Sequence, residues 1–136
     1  MEILLADYRI EMKKILTKNA PQPAGHYSQA IVHGDLVFVS GQLPINPSTG
    51  KRRLDSIEEQ AEQALKNVAA ILNAAGSDLA HILKTTVYIS DIQLWDKVNT
   101  VYTKFFGDHR PARVVVPTRE LHFGFQIEIE AVAVIK

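Results

Sequence analysis

Apolar residues recur at Ile57, Ala61, Ala64, Leu65, Val68, Ile71, Leu72 and Ala75. That spacing marks one face of a 3.6-residue period and predicts an amphipathic helix. Ser56, with Glu59 three residues on, has the pattern of a capping box, and Gly76 supplies the stop. A second helix is predicted from Gln93 to Phe106, where Trp95, Val98, Tyr102 and Phe105 recur at steps of three and four. Asp91 is its expected cap, and Gly107 closes it.

The other segments read as strands. Ser28–His33 and Leu36–Gln42 flank a Gly34-Asp35 turn and predict a hairpin. Leu83–Ser90 is rich in β-branched residues, with Thr85, Val87 and Ile89 alternating against Thr86, Tyr88 and Ser90. Ala112–Thr118 and Phe125–Ile135 are expected to pair with each other, and a short strand, Lys14–Lys18, is expected to precede them all. The order β, β, β, α, β, α, β, β gives an α+β fold, a mixed sheet with two helices on one face. Leu36 to Val39, Val114 to Val116 and Ala131 to Val134 are apolar on both sides of their strands. Two helices cover only one face, so the other is expected to pack on a further copy of the chain.

Composition narrows the class. One domain is the expectation for 136 residues (15.2 kDa), 46% of them hydrophobic and 22% charged. Fifteen basic and fifteen acidic side chains balance to zero formal charge, which argues against a protein that grips nucleic acid by charge. The absence of cysteine excludes disulfides, thiolate chemistry and cysteine zinc sites. No apolar run approaches the roughly 20 residues of a membrane-spanning helix. Met1–Lys14 carries three acidic residues and lacks the pattern of a signal peptide, so the cytoplasm is the expected compartment. Met12 begins Met-Lys-Lys-Ile-Leu-Thr-Lys, a more natural start, and Met1–Glu11 is read as an extension of the 1–136 domain.

Familiar catalytic constellations are missing. There is no phosphate-cradling glycine loop, and His26, His33, His81, His109 and His122 show no metal-ligand spacing, so no metal is expected. Three features carry candidate chemistry. In Arg110-Pro111-Ala112-Arg113, arginine at a strand edge is either a solvated end or a carboxylate clamp, for which the planar guanidinium is suited. In Ile127-Glu128-Ile129-Glu130-Ala131, period two puts both glutamates on one side. This is either an ordinary half-exposed strand or one glutamate that orients a water beside Arg113, as pairing of the last two strands would allow. Gly25-His26-Tyr27-Ser28-Gln29-Ala30 and Val39-Ser40-Gly41-Gln42 are either plain turns or backbone that a ligand approaches closely, with Gly41 the permissive residue.

Taken together these motifs resemble the Rid (RidA/YjgF) family of reactive intermediate deaminases over about Ala20 to Ile135. The carriers are Ala20-Pro21, Tyr27-Ser28-Gln29-Ala30, Val39-Ser40-Gly41-Gln42-Leu43-Pro44 and Lys84-Thr85-Thr86-Val87-Tyr88. Val98-Asn99, Tyr102 and Phe105-Phe106 follow, then Arg110-Pro111-Ala112-Arg113 and Ile127 to Ala133. The resemblance implies a chorismate mutase-like fold and a homotrimer with ligand sites between subunits. It implies cofactor-free hydrolysis of 2-imino acids, such as 2-aminoacrylate and 2-iminobutanoate, to 2-keto acids and ammonia. It assigns Arg113 to the substrate carboxylate, Glu128 to the attacking water, and Tyr27, Ser40, Gly41 and Asn99 to the cleft. Chemically the assignment is coherent: the arginine fixes the carboxylate and hence the C=N bond, and the glutamate holds water on the electrophilic carbon.

Three departures from the family pattern bear on specificity. Val114 and Val115 follow the arginine where small and polar residues are usual, His26 stands where proline is common, and Glu120–Phe125 replaces a stretch with Leu-Pro-Lys. His122, Phe123 and Phe125 are expected to favour an apolar or aromatic side chain on the imine. The alternative function is a non-catalytic, regulatory trimer that binds small carboxylates; a translation-inhibiting nuclease is least compatible with the charge balance. Retention of both Arg113 and Glu128 favours the enzyme, because binding alone needs only the arginine.

Overall fold

Ser56 opens the first helix as its spacing predicts: its hydroxyl accepts a hydrogen bond from the Glu59 amide at 3.2 Å, and α1 runs Ile57–Ala74. Gly76, at φ 83°, takes the left-handed conformation that ends it. These positions come from a computed structural model that describes residues 11–136. Apart from Glu11, the expected extension Met1–Glu11 lies outside the described residues. The buried stripe of α1 includes Ala61, Ala64, Leu65, Val68, Ile71 and Leu72.

That stripe packs on a six-stranded mixed sheet. The strands are β1 (Met12–Ile15), β2 (Ala30–His33), β3 (Leu36–Gln42), β4 (Ile82–Ile89), β5 (Ala112–Pro117) and β6 (Ile127–Val134), in spatial order β1-β2-β3-β6-β4-β5. The fold is α+β and chorismate mutase-like, as expected. β2 and β3 form the predicted hairpin. The first strand lies earlier than its expected position at Lys14–Lys18, because Met12 to Ile15 register antiparallel with His33 to Ala30.

The larger correction concerns the last two strands, which do not pair. β4 lies between them, antiparallel to β6 and parallel to β5. Parallel neighbours need a crossover, and α2 (Trp95–Phe106) provides it between β4 and β5. The connection 118–126 is then long enough to pass beyond β4 and return as β6. Asp91 caps the short 3-10 turn Ile92–Leu94 ahead of α2, accepting from the Gln93 amide, and Gly107 closes α2 at φ 57°.

Strand alternation separates two unlike faces. Ile127, Ile129, Ala131 and Ala133 of β6, with Val87 and Ile89 of β4, are buried under the helices. The neighbouring positions, Glu128, Glu130 and Val132 with Thr86 and Tyr88, point to the other face, which no element among the described residues covers. Phe38, Leu36 and Val114 leave 44%, 38% and 43% of their surface exposed there. The two-sided apolar character read from the sequence is therefore present, with one side open.

Candidate functional site

Arg113 registers with Thr85 in β4 and so projects toward the helices. One guanidinium nitrogen donates to Asn99 Oδ1 at 3.0 Å. The guanidinium carbon lies 4.7 Å from the Tyr102 ring centroid and 5.4 Å from that of Trp95. Trp95, Asn99 and Tyr102 follow one another at steps of four and three, so one face of α2 delivers all three to the arginine. Tyr102 is fixed in turn by Thr85, whose hydroxyl lies 2.5 Å from the phenol oxygen, and burial pushes the Tyr102 phenol above its ordinary range. The arginine is thus held by an amide and two aromatic faces, with no carboxylate among the described residues within ion-pair distance. It borders a cleft of about 510 Å³ with Asn99, Thr103, His109 and Arg110. Two guanidinium groups and no acid line it, which suits a small carboxylate.

Glu128 lies on the opposite face, across β4 and opposite Tyr88. The two faces and the intervening strand exclude a shared ligand within one chain. The expectation that Arg113 and Glu128 meet through paired final strands is therefore wrong for a single copy. Around Glu128 a second, smaller half-site forms. Val39 pairs with Ala131 and Gln42 with Ile129, so Ser40 and Gly41 form a bulge opposite Glu130. The Glu128 carboxyl packs directly on Gly41, and a Cβ there would collide with Glu128 Oε1. The glycine is needed for close approach. Ser40 is used structurally: its amide donates to the Gln29 carbonyl at 2.9 Å and its hydroxyl to the Ser28 carbonyl at 2.6 Å.

Tyr27, 51% exposed, borders the same small cleft as Gly41, Leu43, Ile45, His122 and Phe123. Buried amides hold these walls. Asn67 of α1 donates to the carbonyls of Leu43 and Ile45 at 3.0 and 2.9 Å. Gln29 donates to those of Thr17 and Pro21 at 3.0 and 2.9 Å. Gln60 accepts from the Gln126 amide at 2.9 Å, fixing the entry to β6.

Burial raises the Glu128 carboxyl above its ordinary value; the charge of Glu130 adds to the shift and His122 opposes it. A carboxyl so placed is more basic than one in water. Glu130 is different: it accepts a hydrogen bond from the Tyr88 phenol at 2.9 Å. This contact raises the Tyr88 pKa, with burial second. Of the three aromatic residues expected to shape specificity, His122 and Phe123 border the cleft, whereas Phe125 is 1% exposed and belongs to the core.

The structure therefore brings the expected site residues together in two groups: Arg113 with Asn99, and Glu128 with Gly41, Tyr27 and the bulge at Ser40. Trp95 and Tyr102 were missed as arginine supports, although their helical spacing with Asn99 was a usable signal. Arg52, whose guanidinium lies over the Phe123 ring, had no signal, because it reaches the site only through the tertiary fold.

A small α+β sheet protein with a carboxylate-type arginine cleft and a raised glutamate on its opposite face is the class these observations define. A family model described as Endoribonuclease L-PSP matches residues 17–135, and the chain belongs to that family, the family of the YjgF/RidA proteins. It is 46% identical over 123 residues to a RutC family protein of Pyrococcus horikoshii, covering 90% of this chain and 98% of that one. It is 42% identical over 120 residues to the human 2-iminobutanoate/2-iminopropanoate deaminase, covering 88% of each. The solved structure of E. coli TdcF with bound serine matches it with a TM-score of 0.87 at 40% identity, over 91% of this chain and 99% of that one. No helix among the described residues is long and apolar enough to cross a membrane.

Proposed function

We propose that this protein hydrolyses reactive 2-imino acids of the 2-aminoacrylate and 2-iminobutanoate type to 2-keto acids and ammonia. Its active sites lie between the copies of a homotrimer. The observation that carries this reading is the partition of the chemistry: a carboxylate-binding arginine on one face and a raised glutamate on the other. Joining them requires a second chain. The uncovered apolar face with Phe38 and Val114 supplies a surface for that association, and the number three follows from the family resemblance. The likeness to the human 2-iminobutanoate/2-iminopropanoate deaminase and to serine-bound TdcF supports the substrate class.

In this reading Arg113 of one copy takes the substrate carboxylate in a bidentate contact, with Asn99 holding the guanidinium. Glu128 of the adjacent copy accepts a proton from water as the water oxygen bonds to the imine carbon. The C=N π pair moves to nitrogen, which takes up a proton, giving a carbinolamine. The C–N bond then breaks, ammonia leaves, and the hydroxyl loses its proton as the keto group forms. Water and imine balance 2-keto acid and ammonia, with no redox partner. The burial that raises Glu128 makes it a stronger base than a carboxylate in water.

The test generates imino acids with an amino-acid oxidase and follows their capture by semicarbazide. Wild-type protein should deplete the trapped imine, and Arg113→Ala should lower turnover by about 100-fold or more while leaving the assembly intact. No depletion of any imine, with small carboxylates still bound, would replace the deaminase by the regulatory carboxylate-binding trimer.

A further inference from the structure

Phe123 has a positive φ without being glycine: φ is 60° and ψ 16°. With Gly124 at φ 76° and the Phe125 amide donating to the His122 carbonyl at 3.2 Å, residues 122–125 form a type I′ turn. Such turns favour Asn-Gly at their centre; a bulky aromatic residue in the first central position is strained.

The ring of Phe123 is held on both faces. The Arg52 guanidinium carbon lies 3.6 Å from its centroid, and the His122 ring stacks 3.6 Å away at an interplanar angle of 16°. Two groups so close to one centroid would overlap on the same side, so they occupy opposite faces. The order is Arg52, Phe123, His122, and His122, the outermost layer, is exposed. His122 and Phe123 border the small cleft with Tyr27 and Gly41, and Gly41 carries Glu128 against it.

We infer that this three-layer stack is the specificity element of the site: His122 presents a flat π surface that binds the planar, aromatic side chain of a 2-imino acid, and Phe123 and Arg52 position it. The inference rests on the deaminase reading and adds its preferred substrate class. A small imine derived from alanine does not reach the platform; one derived from phenylalanine stacks on His122. Phe123 and Arg52 act as positioning residues, and only His122 touches substrate.

The strained turn supplies a clean test, because Phe123→Asn restores the preferred Asn-Gly pair while removing the ring. The kcat/KM values for imines generated from alanine and from phenylalanine are compared by semicarbazide competition. Phe123→Asn should lower the value for the phenylalanine imine about 3- to 10-fold, as loss of an aromatic contact requires, with the alanine imine changed less than about twofold. His122→Ala should lower the phenylalanine-to-alanine ratio by a similar factor, with any effect through Glu128 common to both imines, and Arg52→Ala should shift the ratio in the same direction by less. An unchanged ratio, an equal loss on both imines, or a gain on the phenylalanine imine would overturn the assignment while leaving the deaminase in place. Inactivity of the wild type on both imines would instead remove the deaminase reading, and this inference with it.

Discussion

A methyl group at position 41 would occupy the space now taken by the Glu128 carboxyl. Gly41→Ala is therefore expected to push the carboxylate aside and lower kcat by about 100-fold, because misplacement of a reacting group by an ångström has that scale of effect. Thermal unfolding beside steady-state assays separates this from unfolding. Glu128 itself is held at a thermodynamic cost. Its raised pKa means that, above the ordinary carboxylate range, the folded chain retains the proton more tightly than the unfolded one. Stability consequently falls as pH rises through the window between the unfolded and folded values, and the deficit persists at neutral pH. Glu128→Gln should raise the melting temperature at pH 7 while abolishing hydrolysis, and should flatten that fall in stability with pH. The acid limb of the wild-type rate profile should lie above the ordinary carboxylate range. Glu130→Gln, which alters the contact with Tyr88 and removes the charge that adds to the Glu128 shift, should retain turnover with its acid limb moved to lower pH, and serves as the control.

At the scale of elements, α2 both connects parallel strands and presents Trp95, Asn99 and Tyr102 to Arg113. Tyr102→Phe keeps the aromatic face under the guanidinium but leaves the buried Thr85 hydroxyl without its partner. A loss of about 1–3 kcal/mol in urea unfolding is expected, with turnover nearly unchanged. The helices were readable from sequence because period, caps and glycine stops agree at Ser56, Gly76 and Gly107. The strand order was not, since local pattern reports which face a strand buries and says little about its neighbour. The βαβ sequence of β4, α2 and β5 nevertheless contained the answer: a helical crossover makes β4 and β5 parallel neighbours. The connection 118–126 exceeds the short loops usual in hairpins. For the same reason Arg113 and Glu128 were identified as chemical groups while their separation on opposite faces was not foreseen.

At the scale of the molecule, that separation makes association a requirement of the proposed chemistry. Each copy offers an arginine half-site and a glutamate half-site on different surfaces, the arrangement a closed ring of head-to-tail contacts needs. Mixing inactive variants tests this most directly. Arg113→Ala and Glu128→Gln should each be inactive alone. Co-assembled from equal amounts, they form some sites that draw a native arginine from one variant and a native glutamate from the other. Random assembly of a ring makes these about a quarter of all sites, so recovery of roughly that share of wild-type turnover is expected. Full assembly with no recovery would contradict a site shared between two chains.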